Sequence, residues 1–252
     1  MIKIKGVIIA AGMGSRLLPV TKELPKCLLE INGKTMLQHQ LDAFKENNIT
    51  DVAIVKGFQH EKIDVGNVSY FLNEDYENNN ILASLFYAKD FMDSGFISSY
   101  SDIVYDKEIV KKLKESEGDF CVVVDENWKK CYEGRTLHPI EEAENVVLDK
   151  NNVIKIGKHI NSEEAHAEFI GLAKFSDNGV KIIKELYEEL ENSFLNLPFQ
   201  QAKIFQKSYL TDFFQELINR DFKVTPVKIE SKWCEIDTYQ DLQKSEELFG
   251  GN

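Results

Sequence analysis

The chain predicts an α/β fold, a mostly parallel mixed sheet with helices on its faces. Three observations carry this. Short runs rich in Val and Ile alternate with helical stripes through the first half. The run Phe120 to Val124 is apolar at every position, as a strand buried on both faces must be. The first run, from Val7, breaks at Ala10-Ala11-Gly12 into a loop with a second glycine at Gly14. There is no internal repeat, low-complexity segment or linker composition, so a single domain over residues 1–252 is expected, with one irregular insert at about 125–144.

In chain order, Ile4 to Ile9 reads as a strand. Met36 to Asn47 carries a helical stripe at Met36, Leu37, Leu41 and Phe44 and stops at Asn47-Asn48. Asp51 to Val55 and Val68 to Leu72 are strands, and Asn80 to Met92 is a helix capped by Asn80. Phe96 to Val104 is a strand ending in Asp102, followed by a helix over Lys107 to Lys114. The polar segment 125–144 has no sustained period and carries Trp128, Tyr132, Arg135 and His138; a loop that long inside a compact domain is more often functional than idle. Val146 to Leu148 and Val153 to Ile156 flank a hairpin turn. Phe169 to Phe175, Phe222 to Ile229 and Trp233 to Ile236 are strands, and Val180 to Leu190, Leu210 to Asn219 and Leu242 to Leu248 are helices.

A net charge of -12 argues against nucleic acid or an anionic membrane as partner, since both reward clustered Lys and Arg. No apolar run approaches the ~20 residues of a membrane helix, and the first strand starts too early for a signal peptide. A cytoplasmic protein is expected. Cys27, Cys121, Cys131 and Cys234 form no C-x-x-C pair and read as buried or idle thiols.

A glycine loop after a buried strand points several backbone N–H groups at one spot, which suits phosphate. Neither G-x-G-x-x-G nor a Walker A loop fits, because Leu17 stands where a glycine is needed and no Gly-Lys-Ser/Thr occurs. The full string A-A-G-x-G-x-R-L, with Pro25-Lys26 beyond it, resembles the signature of the nucleotidyltransferases that activate small phosphorylated molecules with an NTP, of the sugar-phosphate and phosphocholine type. The resemblance runs through nearly the whole chain and implies a Rossmann-like nucleotidyltransferase domain. It also implies nucleotide binding by Ala10, Ala11, Gly12, Met13, Gly14, Ser15, Arg16 and Lys26, with Arg16 and Lys26 catalytic. A homodimer is left open.

Asp102 closes a strand at the sheet edge where α/β ligands bind, and it either holds Mg²⁺ or caps the next helix. The segment S-D-I-V-Y-D resembles the family's metal-binding stretch, and W-C-E-I-D-T-Y-Q-D-L resembles its closing motif, so Asp102 and Asp237 are the implied metal ligands. Asn80-Ile81-Leu82-Ala83-Ser84-Leu85 resembles the N-x-x-x-S-L of cytidylyltransferases, where sugar enzymes carry Gly-Thr. That implies CTP, with Asn80 and Ser84 reading the base; a helix cap and an ordinary serine are the plainer readings.

For the acceptor, Lys129, Arg135, Lys158 and Glu168 are candidates to hold a phosphate with cations and an ammonium with an acid, and Trp128 and Tyr132 to form a cation-binding aromatic face. Each is otherwise an ordinary surface charge or ring. The string W-K-x-x-Y-x-G-R-T-x-H-P-x-x-E-A-E resembles family members working on phosphonates and phosphorylated amino compounds, including those of capsular phosphoramidate synthesis. From it L-glutamine phosphate ranks first, then 2-aminoethylphosphonate and phosphocholine. The five histidines are unclustered and read as structural or acceptor-contacting. A sugar-1-phosphate enzyme, a non-catalytic nucleotide binder and a nucleotide-sugar glycosyltransferase are the alternatives; the binder would be expected to lack Lys26 or a metal aspartate, and the glycosyltransferase would show Asp-x-Asp where this chain spaces Asp102 and Asp106 more widely.

Overall fold

A computed structural model describes residues 4–250. The order is β1 (Lys5–Ala10), three short 3-10 turns, β2 (Glu30–Ile31), β3 (Lys34–Thr35), α1 (Met36–Glu46), β4 (Val52–Lys56), β5 (Ser69–Leu72), α2 (Ile81–Phe86), β6 (Phe96–Tyr100) and β7 (Ile103–Tyr105). There follow α3 (Lys107–Glu115), β8 (Phe120–Asp125), α4 (Lys129–Tyr132), β9 (Asn145–Asp149), β10 (Asn152–Gly157), β11 (Ala167–Phe175), α5 (Asp177–Phe194), α6 (Leu210–Asn219), β12 (Val224–Ile229), β13 (Trp233–Glu235) and α7 (Tyr239–Phe249).

One nine-stranded sheet organises the fold. β6, β1, β4 and β5 lie side by side in parallel, and β11 joins β6 antiparallel. β8, with β12 parallel to it, and the β9–β10 hairpin both pair with β11. Only β11 and β10 therefore run against the rest. Side chains alternate across the sheet, as strand geometry requires. Val7, Ile9, Phe120, Val122 and Val124 face the layer of α2, α5 and α6, where Leu85, Ile183 and Phe213 are buried. Ile8, Ala10, Cys121 and Val123 face α1 and α3 on the other side, with Leu37, Phe44 and Val110. Helix starts follow the caps in the sequence: the Thr35 hydroxyl accepts from Gln38 N at 3.1 Å and Ser176 from Gly179 N at 3.0 Å. No helix of the described residues is long and apolar enough to cross a membrane.

Three sequence expectations need correction. The helix expected over Asn80 to Met92 ends at Phe86, because Tyr87, Ala88 and Lys89 bond three residues back, in turns rather than helix. The strand expected over Phe96 to Val104 is two strands, and Asp102 sits on the turn between them rather than at a strand end. Segment 125–144 is not irregular throughout: Asp125 belongs to β8, and α4 packs Trp128 and Tyr132 with Ala143 into a small apolar centre of their own.

Candidate active site

The glycine loop leaves the carboxyl end of β1 and lines a cleft of about 280 Å³ with Gly12, Gly14, Ser15, Arg16 and Lys26. Gly14 sits at φ 60°, and a Cβ there would meet the Lys26 Cβ at 2.9 Å, so only glycine lets the lysine stem pass. The Thr21 hydroxyl fixes the loop by donating to the Gly14 carbonyl at 2.8 Å. No atom lies within 4 Å of a Cβ built on Gly12, so its backbone is open to a ligand. Ala10 also lines the cleft; Ala11 is buried and accepts from Phe58 N at 3.1 Å, while Met13 is 45% exposed.

A second, small ladder delivers the far end of the chain. β13 pairs antiparallel with β7, Glu235 opposite Ile103, and the buried Trp233 indole N–H donates to Asp125 at 2.7 Å. Asp237 follows, its N–H donating to the Asp241 carboxylate of the α7 capping box at 3.1 Å. Asp102 and Asp237 thus meet in the cleft. Lys26, only 8% exposed, spans them: Nζ donates to Asp102 Oδ2 at 3.0 Å and to Asp237 Oδ1. Arg16 donates to the other Asp237 oxygen, and His138 Nδ1 lies 3.0 Å from it.

Burial alone would lower the Lys26 pKa, but Asp102 and Asp237 outweigh it and raise it, so the ammonium stays charged. Burial alone would raise Asp237, but Lys26, the His138 contact and Arg16 hold it well below the usual carboxylate range. Asp102 Oδ1 is a buried oxygen with no hydrogen-bond partner among the described residues. An oxygen-only pair of carboxylates with one such orphan is the donor set a hard divalent cation takes. His138 and Glu235 also bring ligand atoms within 4.8 Å of each other and of Asp237.

The remaining candidates divide. Asn80 lines the cleft, but its amide is used at both ends, accepting from Ile81 N at 2.9 Å and donating to the Lys207 carbonyl at 3.1 Å. Ser84 is buried away from the cleft and accepts from the Asn73 amide at 2.9 Å; it is placed as part of a core network with Asn79, not as a base reader. Lys129 is exposed with its ammonium 5.5 Å from the Trp128 ring, outside the cleft. Arg135, its side chain 4% exposed, donates to Asp241 at 2.7 Å and stacks on Tyr132, so its guanidinium is consumed by the fold rather than offered to an acceptor phosphate. Trp128 and Tyr132 are buried against each other and form no open cage. Lys158 and Glu168 do come together, beside the cleft, in a small pocket with Tyr100, Glu142, Glu144 and Glu235. His138, Glu142 and Glu144 stand in the string W-K-x-x-Y-x-G-R-T-x-H-P-x-x-E-A-E and Glu235 in W-C-E-I-D-T-Y-Q-D-L, but the sequence assigns a specific role to none of the four.

The MobA-like NTP transferase domain profile matches residues 6–157. Over 251 residues the chain is 35% identical to the CTP:phosphoglutamine cytidylyltransferase of Campylobacter jejuni, covering 94% of this chain and 97% of that one. It is 24% identical over 249 residues to the 2-aminoethylphosphonate cytidylyltransferase of Lancefieldella rimae, covering 95% and 91%. Among solved structures, the inositol-1-phosphate CTP transferase of T. maritima superposes with a TM-score of 0.77 at 21% identity, covering 98% and 96%.

Proposed function

The chain belongs to the MobA-like NTP transferase family, and from that premise we propose that it is a Mg²⁺-dependent cytidylyltransferase. It transfers CMP from CTP to a small phosphorylated or phosphono amino compound, L-glutamine phosphate first, and releases pyrophosphate. The observation that carries the reading is Lys26 bridging Asp102 and Asp237 beneath a glycine loop open at Gly12.

The acceptor needs no general base, because a phosphate or phosphonate is already largely ionised at neutral pH, with a second pKa near ~6. The protein's task is alignment and charge. Gly12, Gly14 and Ser15 line the cleft wall after β1, where a glycine loop's backbone suits the triphosphate. Lys26 is held protonated and pre-aimed by its two carboxylates, so its charge is in place before the pentavalent transition state forms. Arg16, half-exposed at the mouth, adds a second cation that can follow the departing pyrophosphate. Asp102 and Asp237 are the carboxylates that would hold Mg²⁺, which when bound would add positive charge at the phosphoryl oxygens.

The test is pyrophosphate release with CTP, UTP, ATP and GTP against L-glutamine phosphate, 2-aminoethylphosphonate, phosphocholine and glucose 1-phosphate. CTP with an amino acceptor is expected to give the highest kcat/KM. UTP with the sugar phosphate as best pair overturns the assignment.

A further inference from the structure

Beside the cleft, a cavity of about 30 Å³ is walled by Glu142, Glu144, Glu168, Glu235, Tyr100 and the single cation Lys158. Glu168 is 4% exposed; its Oε1 accepts from the Tyr132 hydroxyl at 2.5 Å, and its Oε2 is buried with no hydrogen-bond partner among the described residues. Lys158 does not fill that role. Its ammonium lies 3.5 Å from Glu142 Oε2 and 4.7 Å from the centre of the Tyr209 ring. Glu144 takes the Tyr100 hydroxyl at 3.4 Å. A carboxylate oxygen stranded inside a protein is unfavourable, and natural structures seldom tolerate one without a reason.

We propose that this pocket is a primary-ammonium subsite, in which Glu168 receives the amino group of the acceptor and from which a quaternary ammonium is excluded. The inference rests on the cytidylyltransferase reading for the rest of the acceptor. Charge selects the ligand: Arg135 answers Glu235 from outside the pocket and Arg16 and Lys158 both reach Glu142, so the acids Glu144 and Glu168 have no cation on them within salt-bridge distance among the described residues, which suits a cation and disfavours an anion. An ammonium brings three N–H donors and no acceptor, matching a wall of acceptors. Size selects among cations, since ~10–15 Å³ of such space holds one water-sized group, enough here for –NH₃⁺ and too little for a trimethylammonium head. The pocket shares Tyr100 with the nucleotide cleft, and Glu235 stands two residues from Asp237, so a ligand anchored here keeps its phosphate end at Lys26. Burial, with Glu235 and Glu144 nearby, holds Glu168 well above the usual carboxylate range, and a bound cation opposes that field.

The probe is calorimetric titration of the whole chain, with and without cytidine 5′-monophosphate, using 2-aminoethylphosphonate against ethylphosphonate and phosphoethanolamine against phosphocholine. Wild type is expected to bind 2-aminoethylphosphonate about tenfold or more tighter than ethylphosphonate, as one charge-assisted hydrogen bond to a buried acid implies. Phosphoethanolamine binds tighter than phosphocholine. In Glu168→Gln, checked for a normal melting transition, the first gap shrinks to about threefold or less, because the amide keeps the shape but loses the charge. Equal affinities within either wild-type pair overturn the proposal, as does an unchanged gap in folded Glu168→Gln or no binding of any of the four compounds. The two wild-type comparisons need no variant. Failure to release pyrophosphate from CTP would overturn the transfer reaction instead and leave these binding results standing.

Discussion

The backbone N–H of Ile236 donates to the carbonyl of Asp102 at 2.9 Å, and this bond extends the β7–β13 ladder into the cleft. It ties a turn in the middle of the chain to the segment just before the last helix. Asp237, one residue past Ile236, then projects beside the Asp102 carboxylate, and Lys26 has two anions to span. The site is rigid because main-chain bonds, not side-chain choice, set the spacing of its charges.

Asp102→Asn separates metal binding from folding. The side chain is 31% exposed and Asp237 still holds Lys26, so the amide weakens one arm of the bridge but is expected to keep the fold. Turnover is expected to fall ~10³-fold or more through loss of a metal ligand at a developing phosphoryl charge. Pyrophosphate release titrated with Mg²⁺, beside a melting curve, measures both. A folded variant with wild-type turnover rules the ligand role out.

Lys26→Met is expected to abolish most turnover and also to destabilise. The sequence suggests a purely catalytic lysine, but burial between Asp102 and Asp237 changes that: removing the cation leaves two facing anions whose remaining contacts, Arg16 and His138, both fall on Asp237. The cost is ~3–5 kcal/mol, as for breaking one side of a buried ion pair. Adding Asp237→Asn should recover part of the stability and none of the activity. Chemical denaturation of the single and double variants decides it; a Lys26→Met melting curve matching wild type would show that the bridge contributes nothing to the fold.

Much of this architecture can be read from residue order, because strands such as Phe120 to Val124 and the cap at Thr35 announce themselves through local chemistry. The glycine loop and both aspartates are equally visible, since each belongs to a string whose spacing the chemistry requires. The acceptor side is not. Arg135 and Lys158 are both basic residues in or near the same polar stretch, yet one is locked onto Asp241 and the other faces a pocket of acids. Which cation is consumed depends on pairing with α7, distant in sequence and without a periodic signature. Trp128 and Tyr132 mislead for the same reason: a short helix buries rings that, as a string, look free.

Arg135→Ala is therefore expected to cost ~2–4 kcal/mol of stability, through the buried Asp241 Oδ1 left without its cation and the lost stacking on Tyr132. KM for the acceptor should change by no more than about twofold, the scatter expected where no direct contact is lost. A stable Arg135→Ala protein with a sharply raised acceptor KM would return this guanidinium to the acceptor site.

Stability should fall as pH rises from mild acid to neutrality. Burial raises Glu144 to about 7, with Glu235 and Asp212 adding to it and Lys158 opposing. The folded chain thus prefers the protonated acid: the contribution is complete below about 4.5, the unfolded value, and is lost as pH rises through about 7. Asp237 acts in the opposite sense, contributing above its ordinary value and losing that contribution in strong acid. Glu144→Gln cannot ionise, so it should flatten the decline toward pH 8 by ~1–2 kcal/mol, the discounted equivalent of the shift. Denaturation midpoints at several pH values give the slope, and parallel slopes for the two proteins exclude Glu144 as its source.

Ser84→Ala tests where nucleotide choice resides. Ser84 accepts from the Asn73 amide at 2.9 Å, and that amide also donates to Asn79 at 2.8 Å, so the triad is closed and buried, and Ser84 does not line the cleft. Removing the hydroxyl leaves Asn73 with one partner fewer in the interior. A loss of ~1 kcal/mol of stability is expected, typical for one buried hydrogen bond. The ratio of kcat/KM for CTP over UTP should stay within about twofold, since discrimination follows groups that touch the base. Asn80 lines the cleft, but its amide is occupied by Ile81 and Lys207. A Ser84→Ala enzyme that turns over CTP and UTP equally would place the hydroxyl at the base, and would require the Asn73 network to open when the nucleotide binds.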